Sequence, residues 1–185
     1  PAALLRETFS SSAVMVDNDA NLGAWGEYLD GAGQGEAGML YVKLGDGVGT
    51  GMILADRTYL GARGAGGEIG HVRVVEGGEL CRCGSTGCLE TVISQSALRA
   101  RLTEATPGAD AETHAFVVTP ANRELFVDVG RQLGRASAVL CTMIDPSVVV
   151  VGGTLGAVGA PVLDGIREVF ANQPENSVLP AIALR

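Results

Sequence analysis

The sequence alternates between short apolar runs and longer segments in which apolar residues recur every three or four positions. The short runs predict strands at residues 38–44, 72–75 and 146–153, and a hairpin over residues 52–60 that turns at Asp56 and Arg57. Residues 14–21 are predicted to be a short buried strand that runs into a polar turn. The longer segments predict helices at residues 20–29, 91–104, 121–144 and 160–171. This mixture of buried strands and helices is typical of an α/β domain.

The apolar residues within each predicted helix indicate the face that packs on the core. In the longest helix this face includes Cys141, which we interpret as an inert buried thiol. His114 lies in the polar segment 109–120 and is interpreted as a surface histidine. The predicted core-facing residues are Leu22, Trp25 and Leu29; Val92, Ile93, Leu98 and Leu102; and Leu125, Val129, Leu133, Ala136, Leu140 and Met143.

Composition and charge narrow the possible partners. The chain has 185 residues, 46% of them hydrophobic and 27 of them glycine, and its formal net charge is −8. An acidic surface repels phosphate backbones, so the chain by itself is predicted to be a poor nucleic-acid binder. It has no apolar run of about 18 residues that would span a membrane. Because no signal peptide is recognisable and the cysteines are interpreted as unpaired, we expect a cytoplasmic protein.

Three of the four cysteines and one of the two histidines lie within residues 67–90. His71, Cys81, Cys83 and Cys88 together supply one imidazole and three thiols, a standard ligand set for structural zinc. Glycines at 77, 78, 84 and 87 allow the tight turns that would bring these groups together. Buried free thiols or a disulfide are the alternatives, but a short Cys/His cluster in a cytosolic chain favours a metal.

Two carboxylates, Glu68 and Glu90, bracket this cluster. If zinc takes one ring nitrogen of His71, the other nitrogen stays available as a hydrogen-bond donor. A rigid group of two carboxylates and one imidazole would then suit the hydroxyl groups of a sugar. The alternative is a structural zinc site flanked by ordinary surface glutamates.

The acidic turn at residues 17–21 allows two interpretations. Asn18 or Asp19 could cap the following helix, and carboxylates at this position are also well placed to bind a ligand. A calcium loop is excluded because Leu22 stands where that loop needs glycine and Tyr28 where it needs glutamate.

Two glycine-rich segments could bring the backbone close to a ligand or to another backbone. Residues 45–51 have glycine at every second position, but they match neither a P-loop nor a dinucleotide fingerprint. Gly152 and Gly153 follow a buried strand and precede a helix, an arrangement that either binds an anion or forms a plain turn.

At three places the sequence resembles the ROK family of repressors and sugar kinases. Asn18-Asp19-Ala20-Asn21 is similar to the family's catalytic turn. Residues 44–52, Gly61 and Gly67-Glu-Ile-Gly-His71 resemble its signature, and Cys81-x-Cys83-Gly-x-x-Gly-Cys88-x-Glu90 resembles its zinc motif.

This resemblance implies an actin-like, ribonuclease-H-like fold with two lobes, between which sugar and ATP bind. We expect residues 1–185 to be a single C-terminal lobe with a zinc-binding subregion at 67–90, and a fragment of a longer protein. The resemblance implies sugar binding by Asn18, Asp19, Glu68, His71 and Glu90, and zinc binding by His71, Cys81, Cys83 and Cys88. In a kinase, Asp19 would be the general base, and Gly45, Asp46, Gly47, Gly49, Gly152 and Gly153 would contact ATP.

One substitution favours the regulators of this family over its kinases. Asp46 stands where the kinases usually have a phosphate-contacting threonine, and two like charges about 4 Å apart repel by ~4 kcal/mol at an effective dielectric constant of 20. We therefore expect the effector-binding, dimerising part of a sugar-responsive repressor. It would bind a sugar or sugar phosphate and would reach DNA through an upstream winged helix. The alternatives are a glucokinase- or fructokinase-type enzyme that uses ATP and Mg²⁺, and an inactive structural fragment.

Overall fold

A computed structural model describes residues 2–10, 13–105, 116–172 and 183–184. In these ranges five strands form one mixed sheet in the order β3-β2-β1-β4-β5. β1 pairs antiparallel with β2 and parallel with β4, and β5 pairs parallel with β4. The strands are β1 Gly38–Leu44, β2 Val48–Leu54, β3 Arg57–Thr58, β4 Val148–Gly152 and β5 Ala183–Leu184, and the helices are α1 Ala2–Thr8, α2 Asp19–Asp30, α3 Leu89–Ile93, α4 Gln95–Ala105, α5 Arg123–Ile144 and α6 Gly159–Ala171.

The central strand β1 is covered on both faces, which explains its nearly continuous apolar sequence. On one face Leu40 and Val42 join a core cluster that includes residues of α3, α5 and α6. On the other face Met39 and Tyr41 join a smaller cluster with Ala24 of α2. The sheet therefore lies between two helical layers, as the predicted α/β class requires.

Helix α2 packs on the sheet mainly through small residues, and of the three predicted large residues Trp25 alone packs against the core. Ala20 and Ala24 are buried, whereas Leu22 and Leu29 are exposed. Opposite them, a Cβ atom at Gly51 would lie 2.5 Å from the Ala20 carbonyl oxygen. The alternating glycines of β2 thus allow the α2 backbone to come close, and only the alanine face of α2 fits there.

Three local predictions were wrong. Residues 13–18 form no strand, and Met15 and Val16 are exposed. Residues 72–75 form only an isolated bridge, from Arg73 to Cys88. The hairpin after β2 turns at Ala55 and Asp56, both with positive φ, one residue earlier than predicted.

The predicted helices are present with shifted ends. The helix expected at 91–104 begins at Leu89 and is interrupted at Ser94. Val129, Leu133 and Ala136 of α5 are buried as predicted, but Met143 is 75% exposed. Cys141 and Ile144 of the same last turn pack on the core, so Met143 lies on the outer face of the helix.

The sequence also led to predictions about the Cys141 thiol, about His114 and about membrane-spanning segments. Cys141 is fully buried, and desolvation raises the pKa of its thiol to about 12, which agrees with an inert thiol. His114 lies outside the described residues. Within the described ranges, no helix has the length and apolar character that crossing a membrane would need.

Helices α5 and α6 approach each other through glycines, which makes a sharp stability test possible. A Cβ at Gly130 would lie 2.0 Å from the Val162 carbonyl oxygen. We expect Gly130→Ala to lower the free energy of unfolding by about 3 kcal/mol, because this overlap forces the helices apart. The measurement is urea denaturation.

The matched control for that substitution is Gly26→Ala in α2. A Cβ at Gly26 would meet no atom within 4 Å. Only the change in helix propensity then matters, and the free energy of unfolding of this control should rise by about 0.5–1 kcal/mol. If Gly130→Ala were also stabilising, the close α5–α6 packing would be contradicted.

Candidate functional site

A polar cleft of about 450 Å³ lies beside the start of α2 and the β1–β2 turn. Its walls come from segments that are far apart in sequence, because the β1–β2 hairpin lies between α2 and the loop that precedes α3. Polar residues on these walls are Asn18, Asp19, Asn21, Lys43, Thr50, Glu68 and Arg82. The cleft therefore contains two of the three motifs identified in the sequence, together with two cations that the sequence analysis did not single out.

The acidic turn before α2 divides into structural and exposed groups. The Asn18 side chain caps α2 by accepting a hydrogen bond from the Ala20 amide at 2.8 Å. Asp17 accepts hydrogen bonds from the Asn18 amide and from the Asn21 side chain. Asp19 instead projects outward with its side chain 70% exposed, and its carboxylate lies 2.6 Å from the Lys43 ammonium. Both interpretations of this turn, as cap and as ligand site, are therefore compatible with its geometry.

The loop between β3 and α3 gathers the four predicted metal ligands. One donor atom from each of His71, Cys81, Cys83 and Cys88 lies within 4.8 Å of the other three. Tight turns bring them together, and Gly87 has a φ of 68°, with a Cβ there only 1.7 Å from the Val75 carbonyl oxygen. Only glycine fits at that position.

His71 lies between this cluster and Glu68, a residue that lines the cleft, although His71 does not itself line it. Its Nδ1 atom lies 3.5 Å from the Cys81 sulfur, whereas its Nε2 atom lies 3.9 Å from the Glu68 carboxylate. One ring nitrogen therefore faces the thiols and the other faces a carboxylate of the cleft wall. The predicted division of roles, with one nitrogen on a metal and the other on a sugar, is compatible with this orientation and stays a prediction.

The chemistry of the donor set fits a metal such as zinc. Three thiols and one imidazole match a tetrahedral Cys₃His site. A backbone hydrogen bond at Ser85 lowers the pKa of the Cys83 thiol, whereas desolvation raises that of Cys88 to about 11. A cation would stabilise the thiolate form of all three sulfurs. The cluster can thus hold a metal, and its identity as zinc stays a prediction.

Glu90 has different neighbours from Glu68. It is only 7% exposed and lines a second cavity, of about 400 Å³. Its Oε1 lies 2.6 Å from Arg82 Nε, and its Oε2 accepts from Arg82 Nη2 at 2.8 Å and from the Val48 amide at 3.1 Å. Sugar binding by Glu90 therefore stays a prediction, and in this arrangement Arg82 occupies its carboxylate.

Hydrogen bonds to other groups of the protein hold the turn between β1 and β2. The Gly45 amide donates to the Gly47 carbonyl oxygen, and the Val48 amide donates to Glu90. With its amide nitrogen toward Asp46, Gln95 donates to the Asp46 carboxylate at 2.8 Å. Two backbone donors of the predicted ATP-binding turn are thus already used.

The second glycine segment follows β4. Gly153 has a φ of 97°, and a Cβ there would lie 2.3 Å from the Leu44 carbonyl oxygen. The glycine is therefore needed for the close approach of β1 to this turn. Whether Gly152 and Gly153 also contact a nucleotide stays a prediction.

Lys43 and Arg82 are the residues that sequence reasoning missed. Lys43 is the only charged residue in the apolar run of β1, and this break in the pattern was a usable signal. Arg82 stands between the predicted metal ligands Cys81 and Cys83. Its long cationic side chain is therefore next to the cluster, but no motif in the sequence marks it.

Comparison with known proteins identifies the class of this fold. The chain is 37% identical over 178 residues to a glucokinase from Streptomyces coelicolor, covering 85% of this chain and 56% of that protein. It is 30% identical over 173 residues to a putative xylose repressor from a Caldicellulosiruptor species, covering 84% and 43%. A ROK family glucokinase from Streptomyces griseus, solved with glucose and AMPPNP, superposes with a TM-score of 0.81 at 33% identity, covering 99% of this chain and 65% of that one.

These likenesses define an actin-like α/β fold of the sugar-kinase class. The ROK family model matches residues 3–178. The chain belongs to the ROK family, and the resemblance seen in its motifs is confirmed. It spans about half the length of the curated relatives that it matches. Those relatives include both kinases and repressors.

Proposed function

We propose that this chain is the sugar-sensing, effector-binding and dimerising domain of a ROK-family transcriptional repressor, corresponding to the C-terminal lobe. The observation that carries this choice is the Asp19–Lys43 ion pair. Asp19 is the predicted general base of the kinases, and here its carboxylate lies 2.6 Å from an ammonium group. In this arrangement the Lys43 ammonium occupies Oδ2 of Asp19 and holds the carboxylate toward β1, whereas the other oxygen can accept a hydrogen bond from a sugar hydroxyl.

The turn at Asp46 supports the same proposal. Its carboxylate adds a negative charge to the predicted ATP-binding turn, and Gln95 holds that carboxylate in place. The Gly45 amide, which could contact a phosphate, donates to Gly47 instead. Both features disfavour a triphosphate and leave the polar cleft available for an uncharged ligand.

In the proposed sensor, Asn18, Asp19, Glu68 and His71 bind sugar hydroxyls on the cleft wall. Zinc, when bound by the His/Cys₃ cluster, would keep the His71 ring in one tautomer, so that Nε2 presents its proton to the cleft. Ligand binding then favours one arrangement of the lobes of a dimer and re-spaces its DNA-binding arms by a population shift.

A second candidate function is the C-terminal lobe of an ATP-dependent hexokinase of the glucokinase or fructokinase type. It is favoured by the presence of Asn18 and Asp19 and by the 37% identity to a glucokinase. In that case Asp19 would act as the general base after release from Lys43.

One experiment separates the two candidates. The full-length protein is titrated calorimetrically with D-glucose, D-fructose and D-xylose, with and without MgATP, and ADP formation is followed in a coupled assay. We expect sugar binding that is independent of ATP, with turnover far below the roughly 1–100 s⁻¹ of kinases. Sugar-dependent ATP turnover in that range would contradict the repressor proposal and support the kinase.

A further inference from the structure

Arg82 makes a two-point contact with the predicted sugar ligand Glu90. Its Nε and Nη2 atoms lie 2.6 and 2.8 Å from the two carboxylate oxygens. The Val48 amide takes a further position on Oε2. Protein donors thus occupy three of the roughly four acceptor positions of this carboxylate, and the remaining position on Oε1 cannot bind two sugar hydroxyls at once.

The Arg82 side chain is nevertheless free to leave. It is 70% exposed, and in the part of the chain that the structure describes its hydrogen bonds all go to Glu90. Its backbone lies between the predicted metal ligands Cys81 and Cys83. A rotation of the side chain alone would therefore release Glu90 without moving the loop.

Arg82 also lines both cavities of the site. It is shared by the cleft that contains Asp19 and Glu68 and by the second cavity, which contains Glu90. The second cavity carries hydroxyl groups of Thr91, Ser94 and Ser96. Displacement of Arg82 would join the two cavities and place Glu90 on the wall of the enlarged site.

We propose that Arg82 acts as a latch. In the free protein its guanidinium occupies the Glu90 carboxylate, and two adjacent hydroxyl groups of the sugar displace it. This inference rests on the proposed sugar-binding function and adds a mechanism that regulates it. The guanidinium presents two N–H donors in a fork, and a vicinal diol presents two O–H donors with similar spacing. The two therefore compete for the same pair of carboxylate oxygens.

The latch lowers the apparent sugar affinity by the fraction of molecules in which it is open. If the latch is open in about one tenth of the molecules, the apparent dissociation constant is about tenfold higher than the intrinsic one. Removing the guanidinium would remove this penalty. Arg82→Ala is therefore expected to bind sugar about tenfold more tightly than the wild type, an unusual result for the loss of a charged residue in a binding site.

The test is calorimetric titration of the full-length, metal-loaded protein with D-glucose and D-xylose. Wild type, Arg82→Ala and Arg73→Ala are compared, with metal content and melting temperature measured for each. Arg73 is a matched control, because it is an exposed arginine of the same loop that bonds to Ser85 and not to Glu90. Its removal should leave the affinity unchanged.

Salt provides a second measurement that a merely structural role would not affect. Salt weakens this ion pair because the Arg82 guanidinium is exposed, although less than it would weaken a fully exposed pair, since Glu90 is buried. Raising NaCl from about 0.05 to 1 M should tighten sugar binding by the wild type toward the value of Arg82→Ala. The affinity of Arg82→Ala itself should change little.

The sugar affinities of the wild type and of Arg82→Ala decide whether the latch exists. Tighter binding by Arg82→Ala, with metal content unchanged, supports the latch. Unchanged or weaker binding overturns it, and weaker binding would indicate that Arg82 contacts the sugar directly. If neither wild type nor Arg82→Ala binds either sugar, the proposed function fails together with the latch, whereas sugar binding with equal affinities rejects the latch alone.

Discussion

Replacing His71 with alanine is expected to abolish metal binding and sugar binding together. His71 points Nδ1 at the thiol cluster and Nε2 at Glu68, so one ring serves both sites. Loss of a hydrogen-bond partner of a metal ligand commonly lowers metal affinity about 10–100-fold, and loss of the ligand itself should exceed that. Metal analysis of the purified full-length variant and calorimetric titration with D-glucose and D-xylose measure the two effects.

Glu68→Gln is the control that separates the two roles of the ring. The Glu68 carboxylate lies 3.9 Å from Nε2, beyond hydrogen-bond distance, and glutamine keeps an acceptor there, so Glu68→Gln should lose far less metal than His71→Ala while sugar affinity falls about tenfold or more. The shared-histidine hypothesis would be rejected if His71→Ala kept its full metal content. It would be weakened if Glu68→Gln lost as much metal as His71→Ala, since the two roles of the ring would then not be separable.

Replacing Gly51 with alanine is expected to lower the free energy of unfolding by about 3 kcal/mol. The new Cβ would lie 2.5 Å from the Ala20 carbonyl oxygen and 2.6 Å from the Ala24 Cβ. Neither neighbour is the end of a flexible side chain, so α2 itself must move away from the sheet. Because the α2 N-terminus carries Asn18 and Asp19, sugar affinity should fall in the same variant.

Gly49→Ala is the matched control on the same strand. A Cβ there would lie 3.4 Å from the Ala20 Cβ, an ordinary contact distance. Its stability should stay within about 0.5 kcal/mol of the wild type or rise slightly, because alanine restricts the unfolded chain. Equal stability losses for both variants in urea denaturation would contradict the close α2–β2 packing.

The elements that were predicted correctly from sequence are those whose signal is local. β1 was predicted with its observed bounds, because the apolar run of residues 39–42 lies between glycine-containing segments. β4 was predicted to be a parallel, fully buried strand from its four consecutive valines, and it pairs parallel with β1. The long apolar repeat of α5 likewise identified a helix and most of its buried face.

The wrong predictions concern partners that are distant in sequence. Val14, Met15 and Val16 have the composition of a strand, but they do not pair with any described strand. Leu22 and Leu29 were assigned to the buried face of α2 because a helical pattern alone does not show what lies opposite, whereas Trp25 does pack against the core. The glycines of β2 select the alanine face, and that selection exists only after the two elements meet.

The sequence by itself determined the α/β class, the family and the set of groups that can form a metal site, since each depends on residue types at fixed short spacings. The four predicted metal ligands lie close enough in the chain for local turns to bring them together: His71, Cys81, Cys83 and Cys88. Only the tertiary structure decided that Lys43 pairs with Asp19 and that Arg82 covers Glu90. Ion pairs depend on distances across the fold, and residues 24 positions apart come within 2.6 Å only when α2 packs on the sheet.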